Sequence, residues 1–446
     1  MHINTQKFLV LGVSKSGYAV AKYILENGGQ CYLYEELSSP KIDDAISMLT
    51  GLGARRLNKD DVDGFLLQID IVVVSPGIPI NHDIAIKAKN IGKRIIGELE
   101  FGCLQFTPPI IAITGTNGKT TTATLVDAIL NEEGRKCALV GNVGVPITSK
   151  INDVDKDTVC VAEVSSFQLE TVHSFCPHIS CILNISPDHL ERHYTMENYI
   201  YLKKRVFKKQ RESEYTILNY DDDIVRGFYS EIKAKTLYVS TKEKVEGAYL
   251  LDNKLYFRDE FVMNKEQIKL SGEHNVYNAL FAIAIAKLLN VENQVIENAL
   301  KNFKGVKHRM ELIAQKEGVE FYNDSKATNT ASTISAIEGM KKPVILILGG
   351  SEKGEKYINL FEKIKSSTVK HTILTGASRF NMLESAGKVG YSELTLTSDF
   401  TTAVKIAKLI SEDGDCVLLS PACASFDNFS CFEERGEMFK QIVEGL

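Results

Sequence analysis

The stretch Ile110-Ile111-Ala112-Ile113-Thr114-Gly115-Thr116-Asn117-Gly118-Lys119-Thr120-Thr121 decides how the rest of the chain is read. Its first five residues are apolar or β-branched and read as a buried strand. Glycines then frame a loop, and a helix is expected from Lys119 to Glu132. Between a strand and a helix, successive backbone N–H groups and the helix N-terminus cradle an anion. Lys119 can reach a β/γ-phosphate, and the Thr120 hydroxyl can ligate Mg²⁺. The phosphate-loop pattern G-x-x-x-x-G-K-[ST] is met at Gly118-Lys119-Thr120 but not at its first position, where Ile113 stands. A glycine-rich turn without a ligand is the plainer alternative, and the Gly-Lys-Thr ending weighs against it.

Strand-like and helix-like stretches alternate on both sides of this loop, which argues for an α/β chain of parallel sheets covered by helices. Upstream, strands are expected at Lys7–Val13, Gln30–Tyr34 and Ile69–Val74, with a helix at Gly17–Asn27. Thr107-Pro108-Pro109 breaks the pattern and sets the first domain at 1–107. Downstream, strands are expected at Cys137–Val140, Thr158–Val164, Ile179–Asn184, Tyr215–Asn219 and Thr236–Ser240. A hairpin follows at Ala248–Phe257, turning at Asp252-Asn253. Helices at Asn275–Leu289 and Glu292–Lys301 lead to Gly305-Val306-Lys307, so the second domain is 108–307 and the third 308–446. The third region opens with strands at Met310–Ala314 and Val319–Asn323 and a helix at Thr330–Gly339. Val344–Leu348, Thr372–Leu374 and Asp415–Leu419 complete it as buried strands.

At 446 residues the chain has room for several domains of roughly 100–200 residues. Its 52 basic and 57 acidic residues give a net charge of −5, which disfavours general nucleic-acid binding. No apolar run approaches the roughly 18 residues of a membrane span, and no signal peptide is visible. Nine scattered cysteines without a CxxC pair fit a reducing cytoplasm. His173, Cys176, His178 and Cys181 are close in sequence, but Cys181 opens a strand-like run that would point ligands to alternating faces. Zinc is therefore not expected there.

Several further strings sit at strand ends. Gly12-Val13-Ser14-Lys15-Ser16-Gly17 resembles a dinucleotide fingerprint with Ser14 in place of the middle glycine, and Glu35 stands where a ribose-binding acid is expected. A nicotinamide or another diphosphate fits that loop equally well. Glu163, followed by Ser165-Ser166, is placed as a Mg²⁺ ligand. Asp188-His189 suggests metal or phosphate work, with His189 on a second Mg²⁺. The basic run Lys203 to Arg211 reads by default as a solvated helix face. His274-Asn275 with Asn278 begins an apolar helix and can offer hydrogen bonds to a base or ribose. His308-Arg309 and Asp324 can frame ATP, and the small-residue turn Ser420–Asp427 offers donors to a carboxylate.

Taken in order, these motifs resemble the Mur ligase family, ATP-dependent amide-forming enzymes of cell-wall precursor synthesis. The general family strings are Gly115 to Thr120, Glu163 with Ser165, His274-Asn275 to Asn278, and His308-Arg309. Asn323 to Asn329 and Ser420 to Asp427 resemble the member that adds D-glutamate to UDP-N-acetylmuramoyl-L-alanine. The resemblance implies a Rossmann-like first domain for the UDP substrate, a central phosphate-loop ATPase domain, and a Rossmann-like third domain that closes on ATP and brings D-glutamate. It implies an acyl-phosphate mechanism with ATP and two Mg²⁺ ions, in a cytoplasmic monomer with no nucleic-acid partner.

The resemblance also assigns residues. Gly115, Thr116, Asn117, Gly118, Lys119, Thr120, Thr121, Asn275, Asn278, Arg309, Asp324 and Lys326 go with ATP. Ser16, Gly17, Glu35, Gly77, Asn142 and Ser165 go with the UDP substrate, and Asn142 also with the transferred phosphate. Thr328, Lys353, Ser425 and Phe432 go with D-glutamate. Thr120 and Glu163 hold one metal; His189 and Lys203, the latter as a carbamate, hold the other, with Lys204 as the one-residue alternative. A folylpolyglutamate-synthase-like glutamate ligase would lack the first domain. A nicotinamide-dependent oxidoreductase would leave the phosphate loop and the Ser420–Asp427 turn without a purpose.

Overall fold

The computed structural model describes residues 1–270, 272–352 and 356–446. It shows three sheets among the described residues. The first is parallel, in the spatial order Arg55–Arg56, Gln30–Tyr34, Lys7–Leu11, Ile71–Val74, Arg94–Gly97. The second has nine strands, with Ile110–Thr114 lying between Val159–Glu163 and Ile179–Ile182. The third has six, with Cys416–Leu419 between Val319–Asn323 and Val344–Gly349.

The α/β reading with mostly parallel sheets is borne out. Among the described residues, antiparallel pairing of strands enters at sheet edges: the meander Gly247–Leu251, Lys254–Phe257, Glu260–Asn264 and the pair Glu311–Lys316 with Val319–Asn323. The expected hairpin turn is present, and Asp252 and Asn253 take the left-handed φ values, 49° and 58°, that such a two-residue turn needs.

Two expected strands stop early for a local reason. Lys7–Leu11 ends because Gly12 turns at φ 83°. Ile179–Ile182 ends because Asn184 to Ser186 turn to bind the phosphate loop. Four short strands escaped the sequence: Arg55–Arg56, Arg94–Gly97, Glu260–Asn264 and Leu394–Leu396. All are edge strands, where charged residues are tolerated and the apolar signal fades.

Residues 1–269 with 273–303 form one compact unit, and 270–272 with 304–446 another. Within the first, helix Glu98–Cys103 joins the two sheets. Its Phe101 packs edge-on against Phe8, at 6.0 Å between ring centroids. Its two acids face the second sheet's side: Glu98 accepts from Thr148 N at 2.8 Å, and Glu100 from His173 N at 2.9 Å and Ser174 Oγ at 2.6 Å. The apolar helix Glu273–Leu288 packs on the phosphate-loop helix and brings Asn278 to it. Among the described residues, no helix is long and apolar enough to cross a membrane.

Candidate active site

Every residue of strand Ile110–Thr114 is buried, and parallel partners on both sides fix where it ends. The turn beyond it requires glycine. At Gly118, φ is 83° and a Cβ would lie 2.4 Å from Asn278 Oδ1. At Gly115, φ is 153° and a Cβ would lie 3.0 Å from Leu183 Cβ. A neighbouring loop ties the turn down. Asn184 O accepts from Thr116 N at 3.0 Å, and Asn184 Oδ1 accepts from Asn117 N at 2.8 Å. The Tyr199 hydroxyl is hydrogen-bonded to Thr116 Oγ1 at 3.1 Å.

Two lysines meet on this turn. Lys119 Nζ donates to Gly115 O at 2.9 Å and Thr116 O at 2.7 Å. Lys203 Nζ donates to the same Gly115 O at 2.7 Å and is 1% exposed. Burial pulls the Lys203 amine well below the ordinary lysine range, and the Lys119 ammonium adds to that. Lys204 points elsewhere, to an ion pair with Glu231. The two neighbours in sequence are thus distinct in chemistry, and only Lys203 lies beside the phosphate loop.

Thr120 and Glu163 are joined as a pair, with Thr120 Oγ1 donating to Glu163 Oε2 at 2.6 Å. The second oxygen, Glu163 Oε1, accepts from Asn142 Nδ2 at 2.7 Å. The side chains of Thr120, Glu163 and Asn142 therefore form one cluster at the tips of adjacent strands. These hydroxyl and carboxylate oxygens are hard donors of the sort Mg²⁺ takes. His189 is in a left-handed conformation at φ 53°, between Glu191 at 3.3 Å and Asp188 at 3.7 Å. Thr121 is buried in the first helical turn. Asn278 accepts from Thr122 Oγ1 at 3.2 Å and donates to Asn275 Oδ1 at 3.0 Å. Ser165 caps helix Ser166–Leu169 in a reciprocal box with Gln168.

In the first sheet, the Gly12 loop and the loop after Val74 are joined by Ser75 Oγ donating to Gly12 O at 2.7 Å. A Cβ on Gly17 would lie 1.8 Å from Gly12 O, so the helix carrying Ser16 can approach only with glycine there. Gly77 lies in the second of these loops. The Glu35 carboxylate accepts from Val13 N at 2.7 Å and Leu37 N at 2.9 Å, and it borders a cleft of about 710 Å³ with Tyr34, Glu36 and Asn58.

The second unit assembles its own set. Asp324 is 1% exposed, accepts from Ser420 Oγ at 2.8 Å, and has Arg309 Nη1 at 3.9 Å. Burial raises its carboxyl to about 6, and Arg309 opposes the rise. Lys326 Nζ lies 4.6 Å from the Phe432 ring centroid. The Thr328 N–H donates to Lys326 O at 2.9 Å, and Ser425 is buried in the turn before helix Phe432–Glu444. Lys353 lies outside the described residues.

Sequence reasoning missed Arg435. It is 2% exposed and donates to Ser325 Oγ at 2.9 Å, Ser325 O at 2.8 Å, Cys423 O at 3.0 Å and Ala424 O at 3.2 Å. One guanidinium therefore joins the Asp324 string to the Ser420–Asp427 turn. The only signal was Gly436 next to it, in a helix interior; a Cβ there would lie 2.3 Å from His308 Nδ1.

Three family models match the chain in order. Residues 6–97 match the Mur ligase MurD-like N-terminal domain, 113–286 the Mur ligase middle domain, and 308–423 the Mur ligase glutamate ligase domain. The UDP-N-acetylmuramoylalanine–D-glutamate ligase of Caldanaerobacter subterraneus subsp. tengcongensis is 42% identical over 449 residues, covering 100% of both chains. The ligase of that name from Clostridioides difficile is 40% identical, again over 100% of both. Among solved structures, the UDP-N-acetylmuramate–alanine ligase of Thermotoga maritima shares the fold with a TM-score of 0.64 at 16% identity, covering 99% of each chain. With three domain matches and relatives aligned from end to end, this chain belongs to the Mur ligase family.

Proposed function

We propose that this chain is the ATP-dependent ligase that joins D-glutamate to UDP-N-acetylmuramoyl-L-alanine in peptidoglycan precursor synthesis, acting in the cytoplasm as a monomer. The observation that carries the reading is full-length identity of 42% to a ligase of that name. The Gly115 turn, with Lys119 and the Thr120–Glu163 pair on it, is the chemistry such a ligase needs. Folylpolyglutamate synthesis is disfavoured by the matched first domain, and nicotinamide chemistry by the phosphate loop.

The domain roles are 1–107 for the UDP substrate, 108–307 for ATP and 308–446 for D-glutamate and ATP closure. A carboxylate is a poor acyl donor, so the alanyl carboxylate oxygen first attacks the γ-phosphorus of ATP and ADP departs. The D-glutamate amine then attacks the acyl carbon, and phosphate leaves from the tetrahedral intermediate. Lys119, released from the carbonyls of its own loop, follows the charge on the transferring phosphoryl group. Asn142, now on Glu163, is within the same cluster and meets the transferred phosphate or the substrate carbonyl.

Ser16, Gly17, Glu35, Gly77 and Ser165 serve the UDP substrate. Thr116, Asn117, Thr121, Asn275, Asn278, Arg309, Asp324 and Lys326 serve ATP. Thr328, Lys353, Ser425 and Phe432 serve D-glutamate. Thr120 with Glu163, and His189 with Lys203, would hold the two Mg²⁺ ions, which would supply charge neutralisation to the phosphate oxygens. Lys203 would act there as a carbamate: its neutral amine adds CO₂ and releases a proton to water, leaving an anion. Its depressed basicity supports that chemistry.

The test is phosphate release from ATP. It should require UDP-N-acetylmuramoyl-L-alanine and D-glutamate together. Release with either omitted, or none with both present, would refute the assignment.

A further inference from the structure

Arg192 stands in the short helix Leu190–His193, on the loop that carries Asp188 and His189. Its guanidinium is fixed from several directions. Nε and Nη2 donate to the two oxygens of Glu170 at 3.2 and 2.6 Å. Nη2 also donates to Ile78 O at 3.1 Å and Pro76 O at 3.5 Å. The guanidinium carbon lies 4.8 Å from the Phe167 ring centroid. The Arg192 and Glu170 side chains are 14% and 8% exposed, so this is not a solvent-screened surface pair. The forked contact plus stacking is a geometry that lysine cannot reproduce.

Pro76 and Ile78 bracket Gly77. The Pro76 carbonyl and the Gly77 N–H belong to one trans peptide and point to opposite sides. Anchoring the carbonyl on Arg192 therefore aims the Gly77 N–H away from the guanidinium. A second tie runs alongside, from Asn81 Nδ2 to the Tyr194 hydroxyl at 3.0 Å. Beyond Glu170 the chain of contacts continues inward. Glu170 Oε1 lies 3.7 Å from His193 Nδ1, the His193 ring lies 5.3 Å from that of Tyr199, and Tyr199 bonds Thr116 of the phosphate loop. His189 and Tyr194, both at positive φ (53° and 66°), flank the helix; such strain persists where the surroundings fix it.

We propose that Arg192 is a positioning residue for the nucleotide substrate, fixing the Pro76–Ile78 loop of the first sheet in place against the His189 loop of the second. This rests on the function proposed above, which gives Gly77 to the UDP substrate. Arg192 sets the aim of that loop without contacting the reacting atoms.

The test compares wild type with Arg192→Ala and Arg192→Lys, by calorimetric binding of UDP-N-acetylmuramoyl-L-alanine and by initial rates of phosphate release. Both variants should raise Kd and KM for that substrate by about ten- to a hundredfold, the loss expected for hydrogen bonds made by a charged group. KM for ATP and for D-glutamate should stay within about twofold, which general loosening of the fold would not allow. Lysine should not restore affinity, because it lacks the fork. If the alanine variant melts before it can be assayed, the lysine variant carries the same comparison. Wild-type binding and turnover with unchanged nucleotide-substrate affinity in a folded variant would overturn the inference alone. Equal increases in all three KM values would also overturn it. A wild type that neither binds nor turns over that substrate would overturn the proposed function, and the inference with it.

Discussion

Lys119 and Lys203 both donate to the Gly115 carbonyl, at 2.9 and 2.7 Å. Burial pulls the Lys203 amine toward its neutral form, and the nearby Lys119 ammonium adds to that. The two lysines should therefore fail differently. Lys119→Ala should fold and lose turnover by on the order of 10²–10³, the usual consequence of removing one electrostatic partner from a preorganised site. Near-normal turnover in that variant would remove Lys119 from the mechanism. Lys203→Ala should be almost inactive and partly restored by small carboxylic acids that supply the missing oxygen. Lys204→Ala should stay near wild type, because Lys204 is turned away from the phosphate loop, to Glu231 and the Phe228 ring. Rates of the two variants, with and without added formate, decide it; a dead Lys204→Ala beside an active Lys203→Ala would reverse the assignment. At this scale the sequence was informative where a residue type is chemically singular, as in Gly118-Lys119-Thr120. It was silent on Arg192, Glu170 and Arg435, since an arginine's role depends on which carbonyls it meets across the fold.

The elements repeat that pattern. Central strands were legible because they are buried on both faces and read as continuous apolar runs, as Val344–Gly349 does. Edge strands such as Arg55–Arg56 carry no such run. The Ser420–Asp427 turn was legible as a string, but what holds it is not local: Arg435, a full turn into the following helix, donates to the carbonyls of Cys423 and Ala424. The Ser425 carbonyl accepts from Phe429 N at 2.9 Å, so Ser425→Ala removes a hydroxyl and leaves that backbone bond in place. Its expected effect is a D-glutamate KM raised by roughly ten- to a hundredfold, with KM for ATP and the UDP substrate nearly unchanged. Arg435→Lys should raise the same KM and also lower the thermal midpoint, since a single ammonium cannot satisfy that many buried carbonyls. Three-substrate kinetics and thermal melts of both variants check this. A Ser425→Ala enzyme with wild-type D-glutamate KM would move the pocket elsewhere.

At the scale of the molecule, the division into two compact units makes a prediction about where the chain can be cut. The first two sheets are joined by hydrogen bonds: Glu98 to Thr148, Glu100 to Ser174, and Arg192 to Ile78. The third sheet has apolar layers of its own on both faces, one around Phe361 and Leu346, the other around Phe321 and Phe439. Helix Asn293–Asn302 closes the first unit, and Phe303 is its C-cap. A fragment of residues 1–303 should therefore melt cooperatively and bind UDP-N-acetylmuramoyl-L-alanine within about threefold of the whole chain, a change under roughly 0.7 kcal/mol. It should release no phosphate with all three substrates present, because Arg309, Asp324 and Ser425 are gone. Leu270 and Gly272 cluster with the second unit and would lose those neighbours in this cut. Calorimetry and a thermal melt of the fragment test both halves of the expectation. A fragment that is unfolded, or folded but blind to the nucleotide substrate, would mean that residues beyond 303 are needed to build the first site. Phosphate release by the fragment would mean that the second unit serves only to bring in D-glutamate and has no part in activating ATP.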